Sequence, residues 1–203
     1  MHIEFLVEEP SAEAALQNIL TKIVGGLASF NIHPHQGKPD LLAKLRNRLQ
    51  GYLRWLPEDW RIVVLIDADD DDCHQLKYAL EETALDVGLT AKSAAKKGSR
   101  FQVLNRLAIE ELEAWFFGDV EALHAAYPRI SLNLGSTARY RNPDSILGGT
   151  WEALERELQR AGYYPGGLPK IAAAREISAR MVPEQNRSNS FQVFRRGLLE
   201  LVS

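Results

Sequence analysis

The most constraining feature of the chain is RIVVLIDADDDDC, residues 61–73, in which an aliphatic run without polar alternation passes directly into five aspartates within positions 67–72. A strand that lacks period-two alternation is covered on both faces, as in a parallel sheet flanked by crossover helices. In open parallel sheets ligands bind beyond the carboxyl ends of the strands. Asp67 stands at that end, with Asp69 and Asp71 following at alternate positions. Carboxylates crowded in this way repel one another and take up protons or bind cations. Mg²⁺ or Mn²⁺, which use oxygen ligands and often only one or two carboxylates, would relieve the repulsion. The same residues suit an acidic turn capping the next helix, with Asp70 and Asp72 as cap and solvent face. An EF-hand is excluded, because its sixth position would be Asp72 where glycine is needed and its twelfth Tyr78 where glutamate is needed.

The rest of the chain alternates in the same sense. HIEFLV (2–7) reads as a strand and PSAEAALQNILTKIV (10–24) as a helix with Ser11 as N-cap and Gly25-Gly26 as its stop. SFNIHPH (29–35) reads as a second strand interrupted by Pro34. DLLAKLRNRLQGYLRWL (40–56) has leucines at helical spacing, Asp40 as cap and Lys44, Arg46, Arg48 and Arg54 on its polar face. CHQLKYALEETALDVG (73–88) is a helix, FQVLNRLAI (101–109) a strand and EELEAWFFG (110–118) a short helix. From Asp119 onward four helical segments follow, separated by proline and glycine. These patterns predict one α/β domain over 1–203: a mainly parallel sheet with flanking helices over about 1–118 and a helical extension over about 119–203.

With 203 residues, 45% of them hydrophobic, the chain is long enough to bury a sizeable core. Its formal charge of −3 supplies no global field toward nucleic acid or membrane, so any phosphate-binding surface must be local. Cys73 is the single cysteine, which excludes an internal disulfide framework and a cysteine zinc cluster. No apolar run approaches the roughly 18 residues of a membrane span, and the N-terminus lacks a signal-peptide pattern, so a soluble cytoplasmic protein is expected.

Two further acidic groups matter. Glu8 and Glu9 end the first strand, and if the strands are parallel neighbours Glu8 and Asp67 approach the same crevice. Glu110, Glu111 and Glu113 follow the strand at 101–109; on a helix Glu110 and Glu113 would share one face. Lys38, beside Gly37 near a helix start, and Lys96, Lys97 and Arg100 in the polar loop are candidate phosphate contacts, as are Arg139, Arg141, Arg187, Arg195 and Arg196 further on. His33 and His35 are read as structural, the four tryptophans as packing anchors, and Ser188 and Ser190 as N-caps of the last helix.

A strand ending in glutamate before a helix, followed by a later hydrophobic strand ending in Asp-x-Asp, resembles the Toprim pattern of topoisomerases, primases and OLD-type nucleases. The segments LVEEPSAEAAL, HQGKPDLLAKL, LIDADDDDC, EELEAWFFGD, AAYP and NRSNSF together resemble the bacterial Toprim-like proteins grouped as DUF4276. The resemblance implies that Glu8 is the motif glutamate, an acid/base or metal ligand, and that Asp67 and Asp69 are a metal-binding pair. Glu9 stands where many Toprims have glycine, which leaves the catalytic role between Glu8 and Glu9. In the manner of OLD-type members, Glu110 and Glu113 would complete a second metal site; the plainer reading is an acidic first turn.

The expectation is a Mg²⁺- or Mn²⁺-dependent nuclease with Glu8, Asp67, Asp69, Asp71, Glu110 and Glu113 as metal residues. It acts on nucleic acid, DNA before RNA, and by analogy with OLD-type systems works with a separate ABC-type ATPase in phage defence. The alternative is a Toprim-like adaptor that holds metal or nucleic acid without cutting. An Asp-x-Asp phosphoryl-transfer enzyme with Asp67 as nucleophile fits the element order less well.

Overall fold

The computed structural model describes residues 1–96 and 98–203; Lys97, one of the candidate phosphate contacts, lies outside the described residues. Four strands, β1 (His2–Val7), β2 (Ser29–Pro34), β3 (Trp60–Asp67) and β4 (Val103–Ala108), form one sheet in the order β2-β1-β3-β4. Every neighbouring pair is parallel. The chain therefore leaves β1 toward one edge and passes over it to β3 on the other side, which makes the gap between the carboxyl ends of β1 and β3 the topological switch point.

Alternation along the strands divides the core in two. Ile3, Phe5 and Val7 of β1 and Val63 and Leu65 of β3 pack on one face, against α1 (Pro10–Val24) and the helices that follow β4. Leu6, Ile62, Val64 and Ile66 pack on the other, against α2 (Lys38–Leu53) and α3 (Cys73–Asp86). After β4 come α4 (Ala114–Phe117), α5 (Val120–Ala126), α6 (Thr150–Arg160), α7 (Lys170–Ser178) and α8 (Asn189–Val202). Residues of all five share the hydrophobic cluster of α1. The helical extension thus shares with α1 the cover of one face of the sheet, as the covered character of β3 requires.

Local chemistry accounts for the helix starts, and it moves some of them from where the sequence put them. Asp72 caps α3, its carboxylate accepting from the backbone N–H of His74 at 2.8 Å and Gln75 at 3.0 Å. In α1 the N-cap is Glu9, since Pro10 takes the first helical position, and Ser11 lies inside the helix. In α2 Gly37 is the N-cap at φ 92°, so the helix begins two residues before Asp40; Asp40 instead accepts from the N–H of Gln36 at 3.1 Å. Ser188 caps α8 through the N–H of Phe191, but Ser190 does not cap: its hydroxyl donates to Asp144 at 3.0 Å and accepts from the Trp115 indole at 2.9 Å. The helix expected over 110–118 is confined to Ala114–Phe117. Glu110 precedes it in left-handed backbone, so Glu110 and Glu113 do not share a helical face.

Candidate carboxylate centre at the switch point

Asp67 is the last residue of β3 and buried. Its carboxylate has no hydrogen-bond partner among the described residues, although Glu8 reaches across from the end of β1 and accepts the backbone N–H of Asp67 at 3.2 Å. Burial first, then the charges of Glu113, Glu8, Asp69 and Glu9, push the Asp67 carboxyl well above the usual carboxylate range. Glu113 is buried as well, and burial with the charges of Glu111 and Glu9 pushes it up to about 7 against the opposing pull of Lys170. Burial and the charge of Asp69 likewise raise Glu8, although the Asp67 N–H and Lys38 work in the other direction. Glu8, Asp67 and Glu113, from three separate elements, thus bear on one crevice. Each is more costly to ionise than in water.

Two lysines border this crevice. Lys38, on the first turn of α2, lies 2.6 Å from Asp69 and 2.8 Å from Asp71 and donates to the Ala68 carbonyl at 3.1 Å. Burial opposes its charge, but the two aspartates outweigh that and hold its ammonium above the ordinary value. Lys170, at the start of α7, lies 3.8 Å from Glu9 and 4.5 Å from the centre of the Trp151 ring. Burial opposes its charge too, and Glu113, Glu9, Glu111 and Asp67 outweigh it. Glu111 anchors α6 by accepting from Thr150 Oγ1 at 2.9 Å and the Trp151 N–H at 2.7 Å. Glu9 also accepts from the Ser11 hydroxyl.

Of the residues expected from sequence, Glu8, Glu9, Asp67, Asp69 and Glu113 gather here. Glu110 joins through its backbone, its carbonyl accepting the N–H of Asp69, and its carboxyl is raised by burial and by Asp70, Glu111 and Asp69. Asp71 is exposed and engaged with Lys38. Lys96 and Arg100 lie elsewhere, lining a pocket at the amino ends of the strands with Met1, Asp59 and Phe101. The eight residues of β3 put that end roughly 23 Å from Asp67, so they do not share a site with Lys38. Among the distal arginines, Arg187 donates to the Gly135 carbonyl and Arg195 pairs with Glu184.

Sequence reasoning missed Lys170. A cation on the first turn of a helix opposes the helix dipole, and that is the signal KIAAAREIS carries.

The donors at the centre are all oxygen, which suits Mg²⁺ or Mn²⁺ rather than zinc. Among the described residues no group of three or more His, Cys, Asp or Glu side chains is drawn together as a ready ligand cage. Mg²⁺ commonly takes one or two carboxylates and fills its remaining positions with water and substrate oxygens. Asp67, with Glu8 or Glu113 whose charges bear on it, would be the residues to meet that smaller requirement.

The fold and the centre define an α/β protein with a buried carboxylate cluster at the switch point of a parallel sheet. The chain belongs to the family described as Domain of unknown function (DUF4276), whose model matches residues 7–199. No curated protein and no solved structure matches it. Among the described residues no helix is long and apolar enough to cross a membrane.

Proposed function

We propose that the chain is a Toprim-type nuclease that cleaves nucleic-acid phosphodiester bonds, DNA before RNA, with Mg²⁺ or Mn²⁺. The observation that carries the reading is the buried Asp67 carboxylate, without a hydrogen-bond partner among the described residues and facing Glu8 and Glu113 at the switch point. A divalent ion bound there would supply Lewis-acid polarisation of the phosphate. Asp67 with Glu8 or Glu113 would hold it, while Asp69 and Asp71 keep Lys38 at the rim, where its ammonium meets a phosphate oxygen. Lys170 offsets the charge of the carboxylates that no ion neutralises. Glu8 or Glu9 moves the proton of the attacking water. An ABC-type ATPase partner and a role in phage defence follow from the OLD-type resemblance alone.

The adaptor reading has its own support: Lys38 already neutralises Asp69 and Asp71, and no three-ligand cage is formed among the described residues. The deciding experiment incubates supercoiled plasmid and labelled single strands with Mg²⁺ or Mn²⁺, using the native protein, Asp67→Ala and Glu8→Ala. Metal-dependent cutting that both variants lose supports the nuclease. Mn²⁺ binding that needs Asp67, with no cutting by the native protein, supports the adaptor.

A further inference from the structure

A second cavity lies away from the carboxylate centre, between the free edge of the sheet at β2 and the carboxyl-terminal half of α2, with a volume of about 640 Å³. At its floor is Glu4, buried on β1. Its carboxylate accepts from His2 Nε2 at 2.9 Å, Asn31 Nδ2 at 3.3 Å, Tyr52 Oη at 3.0 Å and His33 Nε2. Four donors fill the acceptor positions of a carboxylate, so Glu4 is not a free ligand; it fixes the side chains that form the cavity floor. Burial works against its charge, and the hydrogen bonds from His33, Tyr52 and His2 keep it ionised below the usual range.

The wall is aromatic. The Tyr52 ring lies 5.4 Å from that of Trp55, which meets Trp60 at 5.6 Å nearly edge-on. Trp60 in turn lies 4.1 Å from His2. Trp55 is 55% exposed, so the expectation that it anchors packing fails and an indole is left at the cavity mouth. Lys44, Asn47, Arg48 and Gly51 lie along one face of α2 at the same mouth. Lys44 shares its charge with Asp40 at 2.6 Å, whereas Arg48 makes no ion pair among the described residues. The Asn47 amide and the Asn31 carbonyl oxygen have no hydrogen-bond partner among them either. An accessible indole face, the free Asn47 amide with the free Asn31 carbonyl oxygen, and an uncommitted guanidinium form the set that takes a base by stacking, reads its edge and holds its phosphate. A cationic ligand would meet Arg48 and Lys44 unfavourably, and an apolar partner would leave the Asn47 amide and the Asn31 carbonyl oxygen unpaired.

We propose that this cavity is a nucleotide site, with one nucleobase stacked on Trp55, its edge against Asn31 and Asn47, and its phosphate on Arg48 and Lys44. Glu8 follows the end of β1 four residues beyond Glu4, about 13 Å away, so the nucleotide held in this cavity lies outside the carboxylate centre and its binding needs no metal. The test is calorimetric titration, in EDTA, with thymidylate and adenylate pentamers and with an abasic pentamer of equal charge. The native protein and Asp67→Asn should bind the base-bearing pentamers roughly tenfold more tightly than the abasic one. Trp55→Leu should erase that difference, Trp55→Phe should restore part of it, and Arg48→Gln should weaken all three pentamers. Circular dichroism verifies that each variant is folded. Equal affinity for the abasic pentamer, or full base preference in Trp55→Leu, overturns the assignment. So does a dimer, seen by sedimentation, that Trp55→Leu dissociates, because the cavity would then be a contact between copies. Loss of nuclease activity with pentamer binding intact would count against the cutting chemistry alone.

Discussion

The backbone N–H of Asp69 donates to the carbonyl of Glu110 at 2.7 Å, and both residues hold left-handed backbone, at φ 47° and 59°. The bond ties the turn after β3 to the turn after β4 and sets the rim of the carboxylate centre. Aspartate visits this conformation fairly readily, whereas for glutamate it costs about 1 kcal/mol.

Glu110→Asn should therefore raise unfolding free energy by about 1 kcal/mol, since asparagine accepts the conformation and a crowded carboxylate is removed. Glu110→Val should lower stability. Urea unfolding at pH 7.5 checks both, and equal stability of the two variants would mean that the turn relaxes without cost.

Stability without metal should fall as pH rises from about 4.5 to about 7. Glu113 has its folded value raised to about 7, so across that window the folded state holds a proton that the unfolded chain has lost. Stability is then fullest below the unfolded value and is lost through the folded one. A shift of this size corresponds to about 3 kcal/mol, and Asp67 contributes with the same sign. Urea titrations in EDTA across the window should show the decline, and Glu113→Gln should flatten much of it. A flat native profile would contradict the burial of these carboxylates.

Ser190→Ala should cost about 1–3 kcal/mol. The change leaves the indole N–H of the fully buried Trp115 without its acceptor and removes one of the hydroxyl donors to Asp144. Ser190→Ala with Trp115→Phe should lose less than the sum of the single changes, because Trp115→Phe removes the orphaned donor. Strict additivity by thermal unfolding would show that the bond contributes nothing.

The sheet was legible in sequence because its signal is local: an unalternating run such as Ile62–Ile66 needs cover on both faces, and Asp72 caps α3 as short polar residues do. Glu8 and Asp67 were legible as partners because both end strands that the alternating pattern makes parallel. The helix over 110–118 was misread because Glu110 must turn left-handed to receive the Asp69 N–H, a tertiary demand absent from its own spacing. Lys170 lies more than 150 residues beyond Glu9, so only a complaint against the helix dipole marked it. Trp55 was misread because apolar character alone does not reveal which side of a helix end faces solvent.

Lys170 also sets an order of events. When residues 1–118 have left the ribosome, Glu8, Glu9, Asp67, Glu111 and Glu113 are all present, while the cation that offsets four of them is still unmade. Closing the crevice at that stage would bring like charges together with nothing to balance them on that side. The last third of the chain thus supplies the counter-charge to carboxylates that the preceding residues bring together.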